Sequence, residues 1–407
     1  MKTRTKRPLS VWGAVILSSL MIFISLGFCS SAISIYTVPV TEALGISRSA
    51  YATTSSVRFI TTALTNVFFG TLVYRFGTKK LMLLGFGSLI TSSVVCSFAN
   101  GLPALLVGSV FLGIGISFTS TTMVGTIINR HCKKNTGTYL GIALAMNGIG
   151  AAIARTLLTP IINAHEMGFK DSYRLVAVIM AALALVMLIF FRDADNEPGA
   201  SAPKKKGASF KILNKPYIIV ALVCVFFTGL ILQSTNLIAD PHFKDNGVEL
   251  AMVTTIMSFH SIAISASKAS IGFIYDKTGL RTSLLVCYGA VIISTPALLL
   301  VSPSVPGISL GFVYSLISAI AIPLQTVMIP IIVKELFGEK DFNKALGIFV
   351  AANTAGYAAT PVADLIFDAT GSYDTWIVIC FAIMLAVTVA INVVITISKK
   401  KRKTPEE

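Results

Sequence analysis

From Val11 to Ile397 the chain is a succession of apolar stretches about 20 residues long, separated by short polar breaks. That is the length an α-helix needs to cross the roughly 30 Å hydrocarbon core of a bilayer. Backbone groups in lipid must find their hydrogen bonds inside the segment, so each stretch is predicted to be helical and no strand is needed. Composition agrees, with 54% of the 407 residues apolar and 13% charged, where a soluble domain has roughly one quarter charged. Mean hydropathy is +0.80. The first stretch, from about Leu9 to Val40, is much longer than a signal-peptide core and reads as a retained membrane helix.

Helices are predicted around Ser25, Leu64, Ile90, Ile114, Gly150, Leu183, Phe227, Ile262, Ile292, Ile317, Gly356 and Leu385. The one long polar interruption contains Pro198, Pro203 and the run Lys204, Lys205, Lys206. The expected architecture is therefore an all-α membrane protein of twelve transmembrane helices in two pseudo-symmetric six-helix halves. Residues 1–191 form the first half, 192–215 a cytoplasmic linker, 216–398 the second half and 399–407 a basic cytoplasmic tail.

A net charge of +15 from 33 Lys and Arg residues could signal a nucleic-acid partner, so their positions matter. Starting from a cytoplasmic N-terminus, 26 fall in inner segments and four (Arg48, Lys170, Arg174 and Lys244) in outer loops. This asymmetry follows the positive-inside rule and puts both termini on the cytoplasmic side of a multi-pass cell-membrane protein. The tail Lys399, Lys400, Lys401, Arg402 and Lys403 then anchors topology against anionic headgroups. No nucleic acid is expected as a partner. The six cysteines, Cys29, Cys96, Cys132, Cys224, Cys287 and Cys380, lack paired or metal-type spacing and read as free thiols.

The sequence repeats itself. Leu140-Gly141-Ile142 and Asn147 through Gly150 recur 206 residues later as Leu346-Gly347-Ile348 and Asn353 through Gly356. Gly70, Arg75, Gly77 and Lys79, after helix 2, reappear at nearly the same offset as Gly272, Lys277, Gly279 and Arg281, after helix 8. The first copy resembles the signature loop of the major facilitator superfamily: a Gly, an acid–Arg pair, a Gly and a basic cluster. Tyr74 stands where the acid belongs, whereas the second copy keeps Asp276. The resemblance implies parallel repeats about an axis along the membrane normal, with substrate held between the halves.

Within the superfamily the pattern looks like the monocarboxylate and oxalate/formate branch. Lys134 through Gly141, Ser267 through Phe273 and Gly347 through Gly356 carry that likeness. The branch binds the substrate carboxylate with an Arg on helix 8, and Lys268 occupies the matching place, offering a point charge instead of a planar fork. Oxalate-type members use a Lys on helix 11, where this chain has Asn353. Ile264 replaces the acid that monocarboxylate members carry one turn before the helix 8 cation, which removes that pair as a proton-coupling device.

Three cations remain inside the predicted spans: Arg58, Arg155 and Lys268. A buried cation costs about 2.5–3.5 kcal/mol even on insertion scales and normally lines an aqueous path or meets a partner. All 18 acidic residues are assigned to boundaries or loops, so the substrate is the natural counter-charge. Arg58 is close enough to the outer end of helix 2 to snorkel. The expected substrate-binding residues are Lys268, Arg155, Tyr36, Asn353, Tyr357 and His260. His260 reads either as a proton carrier or, as a lone membrane histidine usually does, as a structural donor. Asn66, Asn147, Gln233, Asn236 and Gln325 are further polar residues, of the kind that usually bond between helices.

The expected function is secondary active transport of a small organic anion by alternating access, as exchanger or proton-linked symporter, with a counter-transported anion or proton as second cargo. A site of small residues and three cations suits lactate, formate or a keto acid, and also a larger amphipathic acid with one carboxylate. Efflux of drugs or amphipathic compounds through the same fold is the alternative, though such pumps usually carry a membrane carboxylate. No enzymatic motif, metal spacing or phosphate-cradling loop appears, so neither catalysis nor a cofactor is expected. The protein is expected to work as a monomer.

Overall fold

A computed structural model describes residues 10–192, 216–339 and 341–403. The N-terminal basic residues, nearly all of the linker and the last four residues lie outside these ranges. Among the described residues the chain is helical and contains no strand. It divides into two compact units, Met1–Ala208 with Phe342–Ile348, and Ser209–Asp341 with Phe349–Glu407.

Unit 1 contains α1 (Val11–Leu26), α2 (Thr37–Leu44), α3 (Arg48–Phe76), α4 (Thr78–Ser97), α5 (Leu102–Thr119), α6 (Thr121–His131), α7 (Thr136–Ile162) and α8 (Gly168–Phe190). Unit 2 contains α9 (Pro216–Asp245), α10 (Leu250–Thr278), α11 (Leu280–Leu299), α12 (Val305–Ala321), α13 (Met328–Phe337), most of α14 (Phe342–Ala358), α15 (Val362–Thr370) and α16 (Asp374–Lys403). Local chemistry sets several boundaries. Ser10, Ser47 and Ser304 cap α1, α3 and α12 by accepting from the backbone N–H three residues on.

All twelve predicted centres fall in these helices. Ten helical segments, however, rather than twelve, are long and apolar enough to cross a membrane among the described residues. The two that fall short are informative. His260, Lys268 and repeated serines dilute α10, while α14, which carries Asn353 and Tyr357, has only 17 residues. Expense in lipid thus concentrates on the helices that hold most of the expected binding residues. Asp240, assigned from sequence to a boundary or loop, lies within α9. All six cysteines are free and buried.

Each unit is welded by glycines of the sequence repeat. A Cβ on Gly150 of α7 would collide with the carbonyl of Phe23 on α1, and one on Gly356 of α14 with the carbonyl of Phe226 on α9. The recurring Asn-x-x-Gly is therefore the place where two backbones meet, as small residues allow between membrane helices. The outer faces expose large apolar side chains such as Ile189, Ile262 and Val389, suited to contact with acyl chains.

Candidate functional site

The first α-helix opens into a π-helical turn, Gly27–Ser31, followed by a 3₁₀ turn, Ile33–Tyr36. The π turn gathers polar groups from two neighbouring helices. Arg58 of α3 donates through Nη1 to Ser30 Oγ at 3.1 Å, and Arg155 of α7 through Nη2 to the Ser31 carbonyl at 3.3 Å. Ser31 Oγ donates to Asn147 Oδ1 at 2.8 Å. Such turns are frequent at functional sites because they offset the helical register and free backbone groups.

Arg58 is buried, with its guanidinium 4.3 Å from the centroid of the Phe59 ring, instead of snorkelling to the surface. Arg155 is exposed apart from its bond to Ser31. Tyr36 lies inside unit 1, where its hydroxyl is 2.6 Å from Ser172 Oγ and its ring stacks on Tyr173 at 4.4 Å. It helps to line a cavity of about 30 Å³ together with Cys29, Tyr51, Thr54, Ser93 and Tyr173, among others.

In unit 2 the cation differs in kind. Lys268 of α10 is 4% exposed, and among the described residues neither a hydrogen bond nor an ion pair reaches its ammonium. His260, two turns earlier on the same helix, is fully engaged. Its Nδ1 is 2.8 Å from the Ser315 carbonyl and its Nε2 3.1 Å from Asn236 Oδ1, with the ring stacked on Tyr314. The imidazole thereby ties α10 to α9 and α12. A second cluster joins α14 to α9 and the turn after α12. Asn353 Nδ2 donates to the Tyr357 hydroxyl at 2.8 Å and to the Gln325 carbonyl at 3.4 Å, while Gln325 Nε2 donates to the Gly229 carbonyl at 3.3 Å. Asn353 Oδ1 is buried without a donor.

The duplicated loops show matching geometry. Gly77 ends α3 at φ 79°, ψ 162°, and Gly279 ends α10 at φ 83°, ψ 178°, a region in practice open to glycine alone. Both N–H groups close the preceding turn, on Val73 and Tyr275 respectively. Lys79 Nζ donates to the carbonyls of Leu188 and Phe191 at 2.7 and 2.9 Å, capping the C-terminal end of α8. Arg130 donates to the buried Thr78 hydroxyl beside it. In the second copy Lys277 lies 4.3 Å from the centroid of Phe273, and Tyr275 donates to Glu335 at 3.0 Å. Gly70 and Gly272 are buried within their helices, Asp276 is half-buried, and Arg75 and Arg281 are exposed.

A sequence model of the Major Facilitator Superfamily matches residues 17–332 and, overlapping, 222–407. The chain belongs to the Major Facilitator Superfamily. Among its superfamily relatives, the uncharacterized MFS-type transporter YcxA of Bacillus subtilis (strain 168) is 24% identical over 408 residues, covering 96% of each chain. The oxalate:formate antiporter of Oxalobacter formigenes is 22% identical over 266 residues, covering 63% of this chain and 61% of that protein. The solved proton:xylose symporter XylE, bound to 6-bromo-6-deoxy-D-glucose, shares the fold, with a TM-score of 0.76 at 12% identity over 93% of this chain and 94% of that one. Superfamily membership makes the chain a multi-pass membrane transporter of small molecules and not an enzyme.

Two features of this superfamily member escaped sequence reasoning. The deep burial of Arg58 depends on Ser30, which lies 28 positions away and carries no charge to mark it as a partner. The cap that Lys79 supplies depends on α8, more than a hundred residues downstream.

Proposed function

We propose that the protein is a secondary transporter of a small organic anion, a monocarboxylate, working by alternating access as an exchanger or with a proton. Its twelve membrane helices would place both termini on the cytoplasmic side of the cell membrane, as the distribution of Lys and Arg supports. The observation that carries the reading is Lys268, a cation 4% exposed in unit 2 with no ion pair among the described residues. A charge so placed is stabilised when an anion arrives, and its neutralisation lowers the cost of closing the aqueous path around it.

Asn353 and Tyr357 supply further polar contacts in unit 2, and Arg155 a solvent-facing cation in unit 1. The relative named as an oxalate:formate antiporter carries small carboxylates by its name, which supports the same substrate class here. The paired loops around Gly77 and Gly279 act as conformational switches in this reading, with Arg75, Lys79, Asp276, Lys277 and Arg281 as their charged members.

The test is thermal stability of the purified protein against organic acids, amines and neutral drugs. A ligand at 100 times its dissociation constant adds about 2.7 kcal/mol. Stabilisation by a carboxylate class, lost in Lys268→Gln, is the expected result. Stabilisation by amines or neutral drugs alone would replace this reading with drug efflux.

A further inference from the structure

The apolar segment Leu102–His131 is long enough to span a membrane, yet it is two helices. α5 stops at Thr119, Ser120 is extended at φ −111°, ψ −152°, and α6 restarts at Thr121. A break inside lipid leaves the last carbonyls of one helix and the first N–H groups of the next in need of partners. On the carbonyl side, Ser25 Oγ donates to the Thr119 carbonyl at 2.9 Å. On the N–H side, the Ser120 side chain makes no cap. α6 therefore opens within the span with uncapped donors and the positive end of its dipole.

A further donor meets this terminus. Asn66 of α3 is fully buried. Its Oδ1 accepts from the hydroxyl of Thr122, the second residue of α6, at 3.2 Å, which holds the amide against the first turn. Its Nδ2 is buried with no acceptor, a costly state for an amide. The backbone beneath it is fixed, because a Cβ on Gly347 would collide with the Asn66 carbonyl. Neither Asp nor Glu occurs in α1, α3, α5 or α6, so these helices offer no carboxylate to the unused donors.

The sequence repeat carries both features into unit 2. Lys268 stands 202 residues after Asn66, the offset that relates Gly70 to Gly272 and Gly77 to Gly279. Thr326 stands 206 residues after Ser120, the offset that relates Leu140 to Leu346. It falls between the 3₁₀ turn Ile322–Gln325 and α13, whose start is also uncapped by a side chain. Asn66 and Lys268 are thus equivalent positions, and each keeps a buried nitrogen without an acceptor among the described residues.

We propose that unit 1 carries a carboxylate site of its own, formed by Asn66 Nδ2 and the first N–H groups of α6. The carboxylate accepts from both, as anions do at helix N-termini. Neutral donors and a helix dipole suit a small monocarboxylate such as formate or acetate, while a phosphate or a dianion would call for a cation as well. The site is independent of Lys268 and stands whether or not Lys268 binds the transported anion. Its occupant ties α3 to α6 at the helix break.

The full-length protein in detergent is titrated with formate and acetate at constant ionic strength, balanced with a bulky sulfonate, while its melting temperature is followed. Lys268→Gln is the background, so that an anion at Lys268 does not mask the result. Asn66→Asp keeps the acceptor for Thr122 and puts a negative oxygen in place of the free N–H, and Asn66→Ala removes the amide. The expected result is a saturable rise of several degrees in Lys268→Gln, absent when either Asn66 substitution is added. A rise that persists with both additions overturns the site. No saturable rise in Lys268→Gln also overturns it, and leaves the Lys268 reading intact if the wild type does respond. Equal curves in the wild type and Lys268→Gln would instead remove the Lys268 reading and leave this site standing. A crystal structure of the wild type at saturating acetate needs no variant. Acetate within hydrogen-bond distance of Asn66 Nδ2 supports the site, and a water or nothing there rejects it.

Discussion

Asn353 donates its amide to the Tyr357 hydroxyl one turn further along α14, at 2.8 Å, and keeps its own Oδ1 buried with no donor. A buried acceptor left unsatisfied costs about 1–3 kcal/mol. The two ends of one side chain therefore act in opposite senses, one tying the helix and the other open to a partner. Asn353→Ala removes both ends and is expected to lower stability by about 1 kcal/mol. Asn353→Asp removes the donor while adding charge beside the orphaned acceptor, so its loss is expected to be the larger of the two. Thermal unfolding of the ligand-free variants checks the order, and a milder Asp variant would refute it.

If Lys268 is the anion-binding cation proposed above, its buried ammonium costs stability in the ligand-free protein. Lys268→Met is expected to melt at a higher temperature than the wild type without ligand, by the equivalent of about 2.5–3.5 kcal/mol if the full insertion cost is recovered. Transport is expected to be lost. Parallel melting curves and uptake into proteoliposomes test the pair, and a Met variant less stable than the wild type would show that Lys268 has a hidden partner.

Gly150 and Gly356 meet the carbonyls of Phe23 and Phe226 in equivalent ways. Neither backbone can yield as a flexible side chain would. Gly150→Ala and Gly356→Ala are each expected to cost about 1–3 kcal/mol, through loss of packing within their own units. Gly87→Ala serves as the control, since a Cβ there meets nothing within 4 Å. Thermal unfolding of the three variants should separate the pair from the control.

Lys79 is a structural cap on α8 in this chain. Lys79→Met gives up two charge-assisted bonds to the carbonyls of Leu188 and Phe191 and is expected to cost about 1 kcal/mol, given its partial exposure. Ligand affinity, measured by the concentration dependence of thermal stabilisation, should stay within about twofold. A large change in affinity would place Lys79 in ligand binding, in addition to the cap and the switch loop.

His260 Nδ1 lies 2.8 Å from the Ser315 carbonyl, and its Nε2 lies 3.1 Å from the side-chain amide of Asn236. His260→Gln is expected to lower stability by about 1–3 kcal/mol while leaving the pH profile of transport unchanged. Uptake measured between pH 5 and 8 distinguishes this tie from a proton carrier, whose removal would flatten the profile.

The sequence by itself determined the class of fold, because the bilayer leaves a chain with such spans only a helical solution and marks its helices by length and hydropathy. It also determined the repeat. Gly77 and Gly279 recur because their backbone region admits no side chain, and Gly150 and Gly356 because two backbones meet there. Lys268 was legible for a similar reason, as a charge in an apolar run demands an explanation wherever the run is placed.

Tertiary structure decided what each polar group faces. In lipid the outer surface and the core of a helix bundle are equally apolar, so hydropathy cannot tell which face is buried. Nothing local distinguishes Arg58, sealed against Ser30, from Arg155, exposed and touching Ser31. Their fates were set by which helix packs beside them, through contacts 28 and 124 residues apart in the chain. The same holds for Lys79 on α8, and for His260 beside Ser315 and Asn236. Hydropathy reports the cost of putting a group in the membrane, while only the packed helices supply the partner that offsets it.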